Sequence, residues 1–399
     1  MKKIFALSIF IVAAISLQAQ NTWSPKAAFG GTGRCAAVGF SIGTKGYVGT
    51  GYDANYTCRN DFWEFDPSTN TWTQTANYGG SPRGWAAGFS IGTKGYITCG
   101  CDSANLFWRD LWEYDQASNT WTQKSQIPTG YRLGPVAFSI GTKGYVGTGQ
   151  DNNGNQLNDF WEYDQATDSW TQKSNFGGTP RSYAVGFSIG NEGYIGTGID
   201  ANSTQEDFWQ WDQATDTWTR KADFAGGARE AAAGFSIGNA GFIGTGAGQH
   251  YNTYKDFYEY NPTANLWVAR ANYSGNARWL GVGFSCNGKG YIGTGYSNGY
   301  VGDFKEYNPE PAGIEDHSQT ETDVAVYPNP FFSTATFSFE QEQKNSQLLI
   351  FDLTGKEIRA INFSGTELKI EREDLAQGIY VWQMKNENAV VSSGKIVVE

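Results

Sequence analysis

The stretch Gly144–Lys173, GYVGTGQDNNGNQLNDFWEYDQATDSWTQK, decides how this chain is read. It contains apolar and aromatic runs, a Gly-Thr-Gly and polar clusters rich in Asn, Asp and Gln, with no catalytic signature. β-Branched and aromatic runs suit strands, and clusters of Asn, Asp and Gly suit tight turns. Nearly the same string recurs through the chain. GYVGTG stands at Tyr47 and Tyr145, GYITCG at Tyr96, GYIGTG at Tyr194 and Tyr291, and GFIGTG at Phe242, at steps of 49, 49, 49, 48 and 49 residues. Six aspartates before apolar runs keep the same step: Asp61, Asp110, Asp159, Asp207, Asp256 and Asp303. So do six arginines: Arg34, Arg83, Arg132, Arg181, Arg229 and Arg278. A self-similar period near 50 residues is the sequence mark of propeller blades.

Each unit reads as four strands. The first is small and apolar (AAVGFSIG, Ala36–Gly43), and a Thr-Lys-Gly turn leads to the second (YVGTG). A loop of variable sequence precedes the third (DFWEFD, Asp61–Asp66), and Pro-Ser-Thr-Asn leads to the fourth (TWTQ). Both strand faces are apolar or small, as expected where each sheet is covered on both sides. These residues resemble the kelch repeat: an Arg opening the first strand, Tyr and a glycine pair closing the second, Asp before an aromatic third, and Trp in the fourth. Here the glycine pair is Gly-Thr-Gly, or Thr-Cys-Gly at 98–100. The resemblance implies an all-β, six-bladed propeller over residues 20–309. Trp72, Trp121, Trp170, Trp218 and Trp267 end five units, whereas the sixth stops at EYNPEPAG without a fourth strand. Asn-Thr-Trp with Trp23, at the other end, is expected to supply it beside Asp303–Tyr307. That would remove the open edges of an incomplete ring.

The flanking segments have other compositions. Lys2 and Lys3 precede an apolar run, Ile4–Leu17, and small Ala19 follows. This reads as a signal peptide over residues 1–19, the run being short for a membrane span. Residues 310–322 are polar and proline-bearing, a linker. From 323 to 399, alternating apolar residues and turn residues predict a small antiparallel β-sandwich. Tyr327-Pro-Asn-Pro330, Asp352 with Gly355, Gly378-Ile379-Tyr380 and Gly394-Lys395 resemble the type A C-terminal sorting domain of the type IX secretion system. That resemblance implies a partner, the type IX machinery, passage through the outer membrane, and removal of the domain. The product would be secreted or attached to the outer surface.

Composition excludes several functions. A net charge of −11 argues against nucleic acid and against an anionic membrane surface. Only His250 and His317 are present, too few for the copper site of galactose oxidase, whose propeller the repeat resembles. No cofactor and no metal are expected. Asp151-Asn-Asn-Gly-Asn155 reads as an Asx-rich turn, because no glutamate closes it as a calcium loop. Among five cysteines, Cys58 and Cys101 lie in adjacent variable loops and are the expected disulfide, and Cys286 reads as a buried free thiol.

The copies can be compared with one another. The turns between first and second strands, and between third and fourth, are nearly constant, whereas the loops between second and third strands all differ. Function commonly sits on variable loops borne by a rigid scaffold. The expected ligand site is therefore the mouth formed by those loops and the loops between units. Its candidate residues are Trp85, Trp108, Arg109, Tyr183, Glu230, Tyr251 and Trp279, which suit a glycan or protein ligand. The six arginines and six aspartates are read as structural pairs rather than a cationic funnel, because charges near an interior need partners. Two alternatives stay open. One is a sugar-acting enzyme of the kelch sialic-acid epimerase type, with Glu206, Glu230, His250 and Arg109 as its acid–base groups. The other is a passive surface or adhesion component.

Overall fold

The computed structural model describes residues 21–309, 324–352, 357–373, 375–386 and 389–399. The expected signal peptide and linker lie outside the described residues. Contacts divide the chain into two units, Met1–Glu310 and Pro311–Glu399. Among the described residues no helix is long and apolar enough to cross a membrane.

The described part of the first unit is built from four-stranded antiparallel sheets, six in all. In the first of them the strands Val38–Ile42, Lys45–Gly49, Phe62–Asp66 and Thr71–Gln74 lie side by side in chain order. The first strand of every sheet touches the first strands of two other sheets, and Val282–Cys286 touches Val38–Ile42. The six first strands therefore surround a common axis. Their small residues permit the close approach. A Cβ on Gly88 would lie 2.2 Å from Cγ1 of Val38 in the neighbouring sheet. Between sheets, aromatic side chains fill the layers, as where Tyr47, Phe62, Tyr114 and Trp121 pack around Val38 and Phe40.

One sheet draws on both ends of the unit. Thr22–Lys26 pairs antiparallel with Phe304–Asn308, and Trp23 stands opposite Tyr307. This N-terminal strand makes the contacts that the fourth strand makes elsewhere. Trp72, Trp121, Trp170, Trp218 and Trp267 each donate an indole N–H to a backbone carbonyl at the start of the preceding inter-unit loop, and Trp23 donates to Ala271 at 2.9 Å. Asn70, Asn119 and Asn265 each accept a backbone N–H from the same loops, and Asn21 accepts that of Ala271. The sequence Asn-Thr-Trp performs one job wherever it occurs.

The second unit is described by itself. Val324–Tyr327, Thr334–Phe351, Glu357–Glu371, Gly378–Asn386 and Ala389–Val398 form one antiparallel five-stranded sheet. The register of the long Thr334–Phe351 strand shifts between Ser338 and Gln343 and again before Ser346. Its two ends consequently serve different parts of the sheet. Phe331, Phe337, Leu348, Ile350, Trp382, Met384 and Ile396 form its buried cluster. Asn329 of the Tyr-Pro-Asn-Pro segment accepts the Val397 N–H at 2.8 Å and donates to the Lys395 carbonyl at 3.1 Å. A Cβ on Gly394 would lie 2.8 Å from the Trp382 ring, so glycine is what fits there.

Candidate functional site

The site rests on two rings of backbone hydrogen bonds. The residue two places after each repeating arginine is Ala36, Trp85, Gly134, Tyr183, Ala231 or Leu280, and all six have φ between +50° and +59°. In that conformation each N–H turns towards the neighbouring sheet. Trp85 donates to the Ala36 carbonyl, Gly134 to Trp85, Tyr183 to Gly134, Ala231 to Tyr183, Leu280 to Ala231 and Ala36 to Leu280, at 2.8–3.0 Å. The circuit closes on itself. The last glycine of each Gly-Thr-Gly or Thr-Cys-Gly forms a second circuit. Gly51 donates to the Arg83 carbonyl, and so on round to Gly295, which donates to Arg34, at 2.7–2.9 Å. Gly51 has φ +93°, a region that side-chain-bearing residues rarely adopt. Left-handed backbone costs a non-glycine residue roughly 1–2 kcal/mol. Five of the six residues in the first ring carry a side chain nonetheless, and two of those are Trp85 and Tyr183.

Beneath the rings the six arginines are buried at 0–1% exposure. Each guanidinium donates to its own unit's aspartate, with closest contacts of 2.5–2.9 Å, and to a backbone carbonyl after the second strand at 2.8–3.0 Å. Trp63, Trp112, Trp161 and Trp209 donate their indole N–H to four of the same carboxylates at 2.7–2.9 Å. Burial opposes ionisation of Asp61, Asp159 and Asp207, but the hydrogen bond and charge of the paired arginine outweigh it and hold these carboxyls below their ordinary range. With every arginine engaged in this way, the ring offers no free cationic funnel.

At the mouth above the rings lies a cavity of about 430 Å³, and its lining includes Trp85, Tyr183, Glu230, Tyr251 and Trp279. Tyr52, Tyr296 and Tyr300 complete an aromatic wall, and Gln150, Gln156, Ser182 and Cys35 add polar atoms. The rings meet one another: Tyr52 and Trp85 at 5.3 Å between centroids, Tyr251 and Trp279 at 5.3 Å, and Tyr296 and Tyr300 at 5.3 Å. Trp85, Tyr183 and Leu280 also line a smaller cavity walled by Ala, Gly and Pro along the inner strands. The mouth pocket therefore opens onto the axis.

Its electrostatics are one-sided. Glu230 is 6% exposed, and among the described residues no Lys or Arg lines the cavity. Burial alone pushes its carboxyl above the ordinary range. Burial, with the negative charge of Glu230 second, also pushes the Tyr183 hydroxyl up. Ser182 Oγ and Gln156 Oε1 are buried without a hydrogen-bond partner.

The structure separates the other sequence candidates from this cavity. Trp108 does not line it, and its ring lies against the buried Arg83, 5.1 Å from the guanidinium. Arg109 lies over the Tyr131 ring at 5.3 Å and donates to the Thr129 carbonyl, so its charge stays within its own loops. Glu206 and His250 do not line the cavity either. The expected Cys58–Cys101 disulfide is also corrected: both are buried free thiols. The Cys58 thiol is directed at the Cys101 backbone carbonyl, with sulfur to oxygen at 3.7 Å, rather than at its sulfur. Asp151 does organise an Asx-type turn, accepting the Asn153 and Asn155 N–H groups at 2.8 Å. Sequence reasoning missed Tyr52, Gln150, Gln156 and Ser182. A signal for three of them existed in the register. Tyr52 stands opposite Cys35, Gln150 opposite Leu133 and Ile199 opposite Ser182, each pair joining the residue after the glycine triplet to the residue after the arginine.

Comparison with known proteins agrees with both units. Residues 325–399 match the family model described as "Secretion system C-terminal sorting domain". Among solved structures the chain is similar to one titled "Structure of YjhT", with a TM-score of 0.60 and 16% identity over 70% of this chain and 96% of that one. At that identity the likeness shows the fold alone, an all-β architecture of propeller type. No curated protein matches the chain. The C-terminal match supports export through the type IX system and an interaction with its machinery.

Proposed function

We propose that this chain is an exported six-bladed kelch-type propeller that binds a glycan or protein ligand at its aromatic mouth. In this reading residues 1–19 direct export, residues 310–322 link the two domains, and residues 323–399 form a small sandwich that the type IX machinery reads and removes. The propeller then works as a secreted or surface-attached module. The mouth pocket carries the reading. Seven aromatic side chains converge on one cavity of ligand size, and three of them, Trp85, Tyr183 and Tyr251, are held on strained backbone that glycine would occupy more cheaply. A passive surface component has no use for that arrangement. The test is a glycan array probed with the purified protein, repeated with Trp85→Ala. Hits that disappear in the variant support the mouth as the binding site, and an empty array together with unchanged cell-surface adhesion favours the passive reading.

One observation favours a second reading. Glu230 is a buried carboxyl that burial pushes above its ordinary range, the direction a general acid in a sugar epimerase needs. That reading expects accelerated mutarotation of a sugar substrate that falls in Glu230→Gln, with binding retained.

A further inference from the structure

Resting on the mouth-pocket reading above, we propose that this pocket recognises an amino sugar through its protonated amine. Among the described residues Glu230 is the only charged side chain lining the cavity. Among the described residues no ion pair or hydrogen bond reaches its carboxylate, although it is almost fully buried. Its carboxylate oxygens are not among the sealed, unsatisfied atoms, so the carboxylate faces the cavity, where water meets it until a ligand does. An ammonium group on the ligand replaces that water with an ion pair in surroundings of low dielectric.

The surroundings select the sign and the shape of that partner. Aromatic faces carry the negative side of the ring quadrupole and attract cations within about 6 Å. Trp85, Tyr183, Tyr251 and Trp279 present such rings around the same cavity as Glu230. An acidic sugar or a phosphate would meet a carboxylate and these faces with no compensating cation, since all six nearby arginines are engaged by their own aspartates. An ammonium group meets an acceptor and π-faces, both favourable. Ser182 and Gln156 line the same space, but Ser182 Oγ and Gln156 Oε1 are sealed from it and add no contact. The flat apolar face of a sugar ring suits the seven aromatics. The slender stem of a lysine side chain would satisfy Glu230 and leave most of that aromatic wall uncovered.

The experiment measures binding to the purified full chain at pH 6.5, by calorimetry and by fluorescence of Trp85 and Trp279. Its probes are glucosamine, N-acetylglucosamine as the neutral twin, and Nα-acetyl-lysine methylamide. We expect glucosamine to bind at least about tenfold more tightly than its acetylated twin. We expect Glu230→Gln to erase that preference. The two sugars are first compared on the unaltered protein, so the result does not depend on the variant folding. Equal binding of both sugars, lost in Trp85→Ala, overturns amine recognition and leaves the mouth reading standing. Tighter binding of the lysine probe than of glucosamine overturns the amino-sugar assignment. No response to any probe, combined with an empty glycan array, overturns both readings.

Discussion

Arg229 and Glu230 are neighbours in sequence, and both are charged and buried. Arg229 donates to both oxygens of Asp256 at 2.6 and 2.8 Å and to the Thr245 carbonyl at 2.9 Å, and its guanidinium lies 4.3 Å from the centre of the Tyr254 ring. Among the described residues Glu230 makes hydrogen bonds only through its backbone, to Ala247. The difference follows from repetition. The arginine occurs in every unit, and so do the aspartate and the backbone carbonyl after the second strand that satisfy it. Cys35, Gly84, Leu133, Ser182 and Trp279 stand where Glu230 stands in the other units. A charge that occurs once in the array inherits no partner from the period. Buried charge is thus a structural element on one side of a single peptide bond and an unmet demand on the other.

The comparison can be broken at three points. Replacing Arg229 with Met should have the largest effect. It leaves Asp256 without its cation, and breaking a buried pair from one side costs about 3–5 kcal/mol. Because Asp256 keeps 28% exposure, we expect the lower end of that range, read as a drop in denaturant midpoint with an unchanged slope. A loss below about 1 kcal/mol would mean that the pair behaves as a surface ion pair and that the contrast with Glu230 is false.

Trp85→Gly comes next and separates the two layers. Glycine relieves the left-handed backbone by about 1–2 kcal/mol. It also removes the Trp85–Tyr52 ring contact, an aromatic pair of the kind worth about 0.5–1.5 kcal/mol. Stability should therefore stay within about 1 kcal/mol of the parent, while ligand binding falls by at least about tenfold. A collapse in stability would show Trp85 to be a structural residue of the ring.

The smallest effect is expected from Glu230→Gln, and its sign is opposite to that of Arg229→Met. The folded pKa of Glu230 is raised by burial, so its ionised form weakens the fold at neutral pH. Lowering the pH through that raised pKa removes the penalty. The variant should be more stable than the parent at pH 7 by on the order of 1 kcal/mol. That advantage should shrink as pH falls towards the ordinary carboxylate range. Thermal melts of both proteins from pH 7 to pH 4 measure it, and an advantage that stays constant with pH would mean that the Glu230 carboxyl titrates alike in the folded and unfolded chain.

These contrasts also mark how far the sequence could be read. The step of 48 or 49 residues leads to repeated four-stranded sheets, because every step carries its own turns and its own alternation of apolar residues. The place of Trp23 was legible by subtraction, since one unit lacked its tryptophan and one tryptophan lacked its unit. Trp85, Tyr183 and Trp279 were visible as large side chains where other copies carry small ones. Trp108 and Arg109 stand apart from the mouth cavity, because Trp108 lies against Arg83 as Tyr254 lies against Arg229, and Arg109 lies against Tyr131. The disulfide was misread. Two cysteines in adjacent loops come close, but whether sulfur faces sulfur or a carbonyl depends on side-chain direction.

By itself the sequence determined the parts that repeat: the strands, the turns and the pairing of each arginine with its aspartate. It could do so because local periodicity and charge balance are written within each unit. Only the tertiary structure decided which single-copy residues meet. Glu230, Ser182, Gln156 and Tyr52 come from different units and share a cavity because the inner strands surround one axis, and no spacing along the chain encodes a distance across that axis.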